Sequence, residues 1–202
     1  YVYGFILYGK FLCSVDQAKM ANIKFAQANQ LDPNIAVVKQ QMGNYLVETG
    51  DFELALPYFV AALELEPNQA IYSYELGELL SAYRSEFIEQ AQMPAEVLDE
   101  QMLASFQRAA ELEPENEHYQ IRYAEAFFDA ESVQQWNRAL AQWEYVQSQS
   151  ESDLDADIAA LQKARVLILL NDLAQARETL MDVQRPSLES SRQELLAQLG
   201  SF

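Results

Sequence analysis

Apolar residues recur along this chain at three- and four-residue steps, with polar residues between them. AKMANIKFAQANQL places Ala21, Phe25 and Ala28 on one helical stripe, and FELALPYFVAALEL does the same with Ala55, Phe59 and Ala62. That period predicts amphipathic helices rather than strands. Gln, Glu and Asp interrupt the apolar residues throughout, so no run reaches the roughly 18 apolar residues of a membrane span. Only 6 Gly and 6 Pro occur in 202 residues, which argues against a loop-rich β fold. The predicted fold class is all-α.

The pattern also repeats. AKMANIKFAQANQLDPN, FELALPYFVAALELEPN and EQMLASFQRAAELEPEN each close on an apolar residue, an acid and a proline, at Pro33, Pro67 and Pro114. The first two prolines are 34 residues apart and the second two are 47 apart. Ahead of each proline stand small and aromatic residues in matching order: Gly9, Ala21, Phe25 and Ala28; then Gly43, Ala55, Phe59 and Ala62; then Gly77, Phe106 and Ala109. Small residues suit places where two helices cross closely, and proline ends a helix because it lacks an N–H. Two looser units follow, one with Tyr123, Ala124, Trp136, Ala139 and Trp143, the other with Ala164, Leu167, Ala176 and Leu180. The period and residue types resemble the tetratricopeptide repeat family.

That resemblance implies one array over 1–202, an α-solenoid of about five helix-turn-helix units plus a C-terminal capping helix. The units fall at about 2–35, 36–69, 70–116, 117–152 and 154–186. The cap is expected at about 187–199, started by Ser187 and stopped by Gly200. The third unit carries 13 extra residues near 85–97. Its first helix is expected to run past Tyr83 to about Gln92, with Pro94 in the first turn of the next helix. Phe87, Ile88 and Met93 in this insertion either form a lip for a partner or fold back on neighbouring helices, and the second is favoured. Pro57, inside a second helix, is expected to bend it.

Charge narrows the partners. Thirty-one acidic residues against 13 basic give a net charge of −18. Such a surface repels nucleic-acid phosphates and disfavours anionic membranes. The single cysteine, Cys13, has no disulfide partner and reads as a small core hydrophobe. The opening YVYGFILYGKFL lacks a basic leader and carries Lys10, so it reads as a packed helix. Tyr at the first position suggests a processed chain or a piece of a longer one. The bacterial cytoplasm and periplasm both stay open.

Chemistry is sparse. GxxxxGK[ST], GxGxxG, CxxC and HExxH are absent. His118, the only histidine, is expected at a helix start without a catalytic partner. Four acids lie in the seven residues Glu151 to Asp157, but the Gly and Glu of a calcium loop are missing. No enzyme activity, cofactor or metal is expected.

The resemblance places binding on a concave face built by the first helix of each unit. The residues it implies are Tyr3, Ile6 and Lys10; Gln40 and Asn44; Ile71, Tyr74 and Glu78; Ile121, Glu125 and Phe128; and Arg165. Cys13, Val47, Ser81 and Ala82 fall on the same face. In the fifth unit, burial of Ile158, Leu161, Ile168 and Leu169 under the cap is the alternative. Some family members grip the acidic tails of chaperones with a basic clamp. Glu78 and Glu125 stand where its cations belong, which argues against that ligand. The expected function is non-catalytic protein–protein interaction, serving scaffolding or assembly. The ligand expected is a protein or peptide segment with apolar residues, and basic ones are compatible with the acidic surface. The alternative is a self-associating structural module, a homo-oligomer formed through Tyr1–Phe11 or the insertion.

Overall fold

The computed structural model describes residues 1–90 and 93–200. Twelve α-helices form, with no strand among the described residues. They are α1 (Val2–Ser14), α2 (Ala18–Leu31), α3 (Ala36–Thr49), α4 (Phe52–Leu65), α5 (Ala70–Ala82), α6 (Arg84–Glu89), α7 (Ala95–Leu112), α8 (Glu117–Asp129), α9 (Trp136–Gln149), α10 (Asp153–Leu169), α11 (Leu173–Asp182) and α12 (Glu189–Leu199). The chain is an all-α solenoid of helix hairpins with a C-terminal helix. It divides into two compact units, Tyr1–Glu113 with α1–α7 and Pro114–Phe202 with α8–α12.

In the first unit the hairpins are α1–α2, α3–α4 and α5–α7. Each is closed by a glycine on its first helix facing a phenylalanine on its second. A Cβ on Gly9 would lie 2.7 Å from the Phe25 ring, one on Gly43 3.2 Å from Phe59, and one on Gly77 2.9 Å from Phe106. Only a residue without a side chain lets the helices approach so closely. The three rings are at most 2% exposed, and each contributes roughly 1.5–3 kcal/mol of burial. The glycines stand 34 residues apart, whereas Phe59 and Phe106 are 47 apart. The insertion therefore lies wholly inside the third hairpin and leaves the first-helix register intact. Lys10, Asn44 and Glu78, each directly after its glycine, occupy equivalent places.

At three hairpins the turn between the helices uses a left-handed residue. Gly50 adopts φ 84° there at no steric cost, while Asp16 (φ 58°) and Asn171 (φ 61°) serve the α1–α2 and α10–α11 turns. Asp and Asn are the side chains that best tolerate this region.

The insertion departs from its sequence expectation. α5 stops at Ala82 and a separate helix, α6, begins at Arg84. The break falls at Tyr83 (φ −113°, ψ 27°). Its ring stacks on Phe52 with centroids 5.0 Å apart, and its hydroxyl donates to the Val47 carbonyl at 3.4 Å. Anchoring the tyrosine turns the chain. Gln92, the expected helix end, lies outside the described residues. Pro94 sits one residue earlier than expected, as the N-cap of α7. Phe87 folds inward, 1% exposed and edge-on to Phe52 at 5.0 Å, so its aromatic ring does not form a lip. Arg84 ties α6 to α7 through two bonds to Asp99, Nε to Oδ1 at 2.7 Å and Nη2 to Oδ2 at 3.0 Å.

Two further readings are corrected. Cys13 is exposed rather than in the core, because α1 turns Ile6, Gly9 and Leu12 inward instead. Partial burial and the Glu48 carboxylate push its thiol up, so it stays protonated and a weak nucleophile. Ser187 is not the cap of the last helix. A 3-10 turn, Pro186–Leu188, precedes α12, whose N-cap is Leu188.

In the second unit, Ala124 and Phe127 of α8 and Ala139, Trp143 and Val146 of α9 are buried in the interior. α10 and α11 share a core of Ala164, Leu167, Ala176 and Leu180. α12 covers it with buried Leu199 and half-buried Leu195 and Leu196. Side-chain caps start three helices here: Asn116, Ser152 and Asp172 accept from the N–H groups of Tyr119, Asp155 and Gln175.

Candidate functional site

In the first unit part of the sequence-derived face borders a recess. α3 and α5 flank a recess of about 260 Å³, with Asn44 and Val47 on one side, and Glu75, Glu78, Leu79 and Ala82 on the other. Phe59 and Tyr83 complete its lining. Asn44, Val47, Glu78 and Ala82 were placed on this face by position alone. Asn44 also lines a smaller recess of about 180 Å³ beside α1, with Cys13, Gln41 and Glu48.

The other expected residues divide by what their helices do. Tyr3 and Lys10 are exposed on α1, and Ile71 sits at the surface of α5. Tyr74 is half-buried, its ring edge-on to Phe106 at 5.9 Å, so it supports the hairpin as well as the face. Ile6 and Gln40 depart from expectation as contact residues. Ile6 is 6% exposed and belongs to the core of α1–α3. Gln40 is 9% exposed and donates its amide to Glu75 Oε1 at 2.9 Å.

Glu75 is the residue that sequence reasoning passed over. Asn44 also donates to its Oε1, at 3.4 Å. Its second oxygen, Oε2, is buried with no hydrogen-bond partner. Burial pushes the Glu75 carboxyl above the usual range, while the two amides pull it back. The available signal was its setting, a carboxylate between Tyr74 and Leu76 in the apolar run IYSYELGELL.

In the second unit, the Arg165 guanidinium lies 4.2 Å above the Phe128 ring, and Phe128 packs on Trp136 at 6.0 Å. Ile121 is half-buried, and Glu125 is exposed. Ile158 and Leu169 remain exposed while Leu161 is buried, so the fifth hairpin is only partly covered. His118 is exposed at the start of α8. Recesses beside α10 and α11 are polar, lined by Asp157 and Asp182 together with Lys163 or Arg185.

Among the described residues no group of three or more His, Cys, Asp or Glu is placed to hold a metal ion. No described helix is long and apolar enough to cross a membrane.

Residues 36–69, the α3–α4 hairpin and its flanks, match the family model described as tetratricopeptide repeat. No curated protein matches the chain by sequence. Among solved structures, YrrB, described as a TPR protein with an unusual peptide-binding site, is 21% identical with a TM-score of 0.70, over 89% of this chain and 84% of that one. MamA 41-end from Desulfovibrio magneticus RS-1 is 16% identical with a TM-score of 0.67, over 94% and 96%. TTC0263, a thermophilic TPR protein in Thermus thermophilus, is 13% identical with a TM-score of 0.56, over 98% and 99%. At these identities the likeness shows the fold.

Proposed function

We propose that the α3–α5 face of this chain, whose residues 36–69 match the tetratricopeptide-repeat family model, docks a peptide segment of another protein, without chemistry of its own. The observation that carries this reading is the recess of about 260 Å³ where Asn44, Val47, Glu78 and Ala82 meet. YrrB, of the same fold, is described as having a peptide-binding site. Glu75, the half-buried carboxylate at this recess, is held by two carboxamides rather than by a nucleophile or a base. The role this suits is scaffolding or assembly. The ligand suited to the recess carries apolar side chains, with basic residues to meet a net charge of −18.

Random twelve-residue peptides displayed on phage test the reading. Enrichment of apolar and basic sequences on the wild-type chain is expected, and Ala82→Trp should abolish it by filling the recess from an exposed position. Enrichment that survives Ala82→Trp, or none at all, refutes a groove at this face.

One observation favours a second reading, self-association through α1. Tyr3, Leu7 and Phe11 are 78%, 69% and 58% exposed on that helix. Its hairpin carries Lys10, Lys19 and Lys24 against Asp16 alone, unlike the acidic remainder of the chain. If this face pairs copies, light scattering should give a mass above the monomer that Leu7→Glu with Phe11→Glu returns to the monomer. A wild-type monomer at every concentration would rule it out.

A further inference from the structure

We propose that the α3–α5 recess seats one lysine side chain of the docked segment, with Glu75 as its counter-ion. The inference rests on the groove reading and adds what the groove selects. Val47, Phe59 and Leu79 offer apolar wall, Glu75 and Glu78 supply negative charge, and neither lysine nor arginine is among the described residues that line the recess. A purely aliphatic side chain would bring no donor to Glu75 Oε2, and an anion would be repelled by the two carboxylates. A lysine satisfies both surfaces, its methylene stem along the wall and its ammonium at the carboxylate.

The state of Glu75 points the same way. A buried acceptor without a partner costs stability, more so when charged. Gln40 and Asn44 satisfy Oε1 and leave Oε2 with none. Burial holds the carboxyl above its usual range, the state an incoming cation would relieve. Packing does not require the charge. The equivalent residue 34 positions earlier is Gln41, which also faces the preceding first helix, with its Oε1 accepting from the Cys13 thiol at 3.8 Å. A neutral amide fills that place, so the carboxylate at 75 is a specific addition.

Lysine suits the recess better than arginine. A guanidinium presents a planar fork that favours both oxygens of a carboxylate, whereas an ammonium is a compact point charge. Only one oxygen of Glu75, Oε2, lacks a hydrogen-bond partner.

The test uses the full chain, immobilised, and four pools of acetylated, amidated decapeptides. One central position is fixed as lysine, arginine, norleucine or glutamate, and the others are randomised among Ala, Leu, Val, Ile, Tyr and Gln. The wild type should retain the lysine pool at least tenfold above the norleucine pool. With Glu75→Gln, which keeps the shape and an oxygen for Gln40 and Asn44, the two pools should be retained equally, at the wild-type norleucine level. Circular dichroism confirms that the variant is folded. Equal retention of lysine and norleucine by the wild type overturns the proposal, as does a lysine preference that survives Glu75→Gln or an arginine pool held more tightly than lysine. In each of those cases Ala82→Trp still separates the groove from its specificity: retention lost in that variant leaves the groove standing. No retention of any pool by the wild type removes both.

Discussion

Asp99→Ala should cost about 3–5 kcal/mol of stability, the range for breaking a buried ion pair from one side. The Asp99 side chain is fully buried and that of Arg84 is 16% exposed. Truncating the aspartate leaves the guanidinium in a poorly hydrated place with two donors stripped of their acceptor. The pair joins the insertion helix α6 to α7, so the loss falls on the irregular hairpin of the array. Replacing both partners, Arg84→Met with Asp99→Leu, should recover most of the loss, because matched apolar groups avoid the desolvation cost. Urea denaturation followed by circular dichroism measures both variants. A single-variant loss below about 1 kcal/mol would mean that water reaches the pair.

Phe106→Ala should cost a similar amount, about 3–5 kcal/mol, through lost burial and the cavity left behind. Phe106 is 1% exposed, lies against Gly77 and meets the edge of Tyr74. Its closeness to Gly77 gives the measurement a control. Gly77→Ala alone forces a Cβ to 2.9 Å from the ring, an overpacking that costs about 1–3 kcal/mol. Combined with Phe106→Leu, the added methyl has room. The double variant should then be more stable than the sum of the two singles predicts. Strict additivity would show that the helices separate freely and that the glycine is not what sets their distance.

The same contacts explain why so much of the fold was legible. Gly9, Gly43 and Gly77, with Phe25, Phe59 and Phe106, are fixed by the approach of two backbones, and that constraint repeats every 34 residues along the first helices whatever the surface does. The prolines mark where second helices stop. What stayed hidden depends on rotations of a few tens of degrees or on partners far along the chain. Ile6 and Cys13 are neighbours of a kind on α1, and only the packed helix shows that the first is core and the second is not. The break at Tyr83 follows from a ring stacked on Phe52, 31 residues earlier. Glu75 is distinguished by Gln40 and Asn44, which lie one helix hairpin away. At the candidate site, position alone named Asn44, Val47, Glu78 and Ala82, which line the α3–α5 recess, but it weighs exposure poorly, so it included Gln40, 9% exposed, and passed over Glu75.

The unbroken 34-residue register of the first helices gives this face a direction. Its three equivalent places carry an ammonium at Lys10, a carboxamide at Asn44 and a carboxylate at Glu78. The insertion, tucked inside the third hairpin, does not scramble that order. Any segment lying across α1, α3 and α5 therefore meets a potential that changes sign along its path, and its two orientations are unequal in energy. A sequence and its reversal, identical in composition, are different ligands to such a surface.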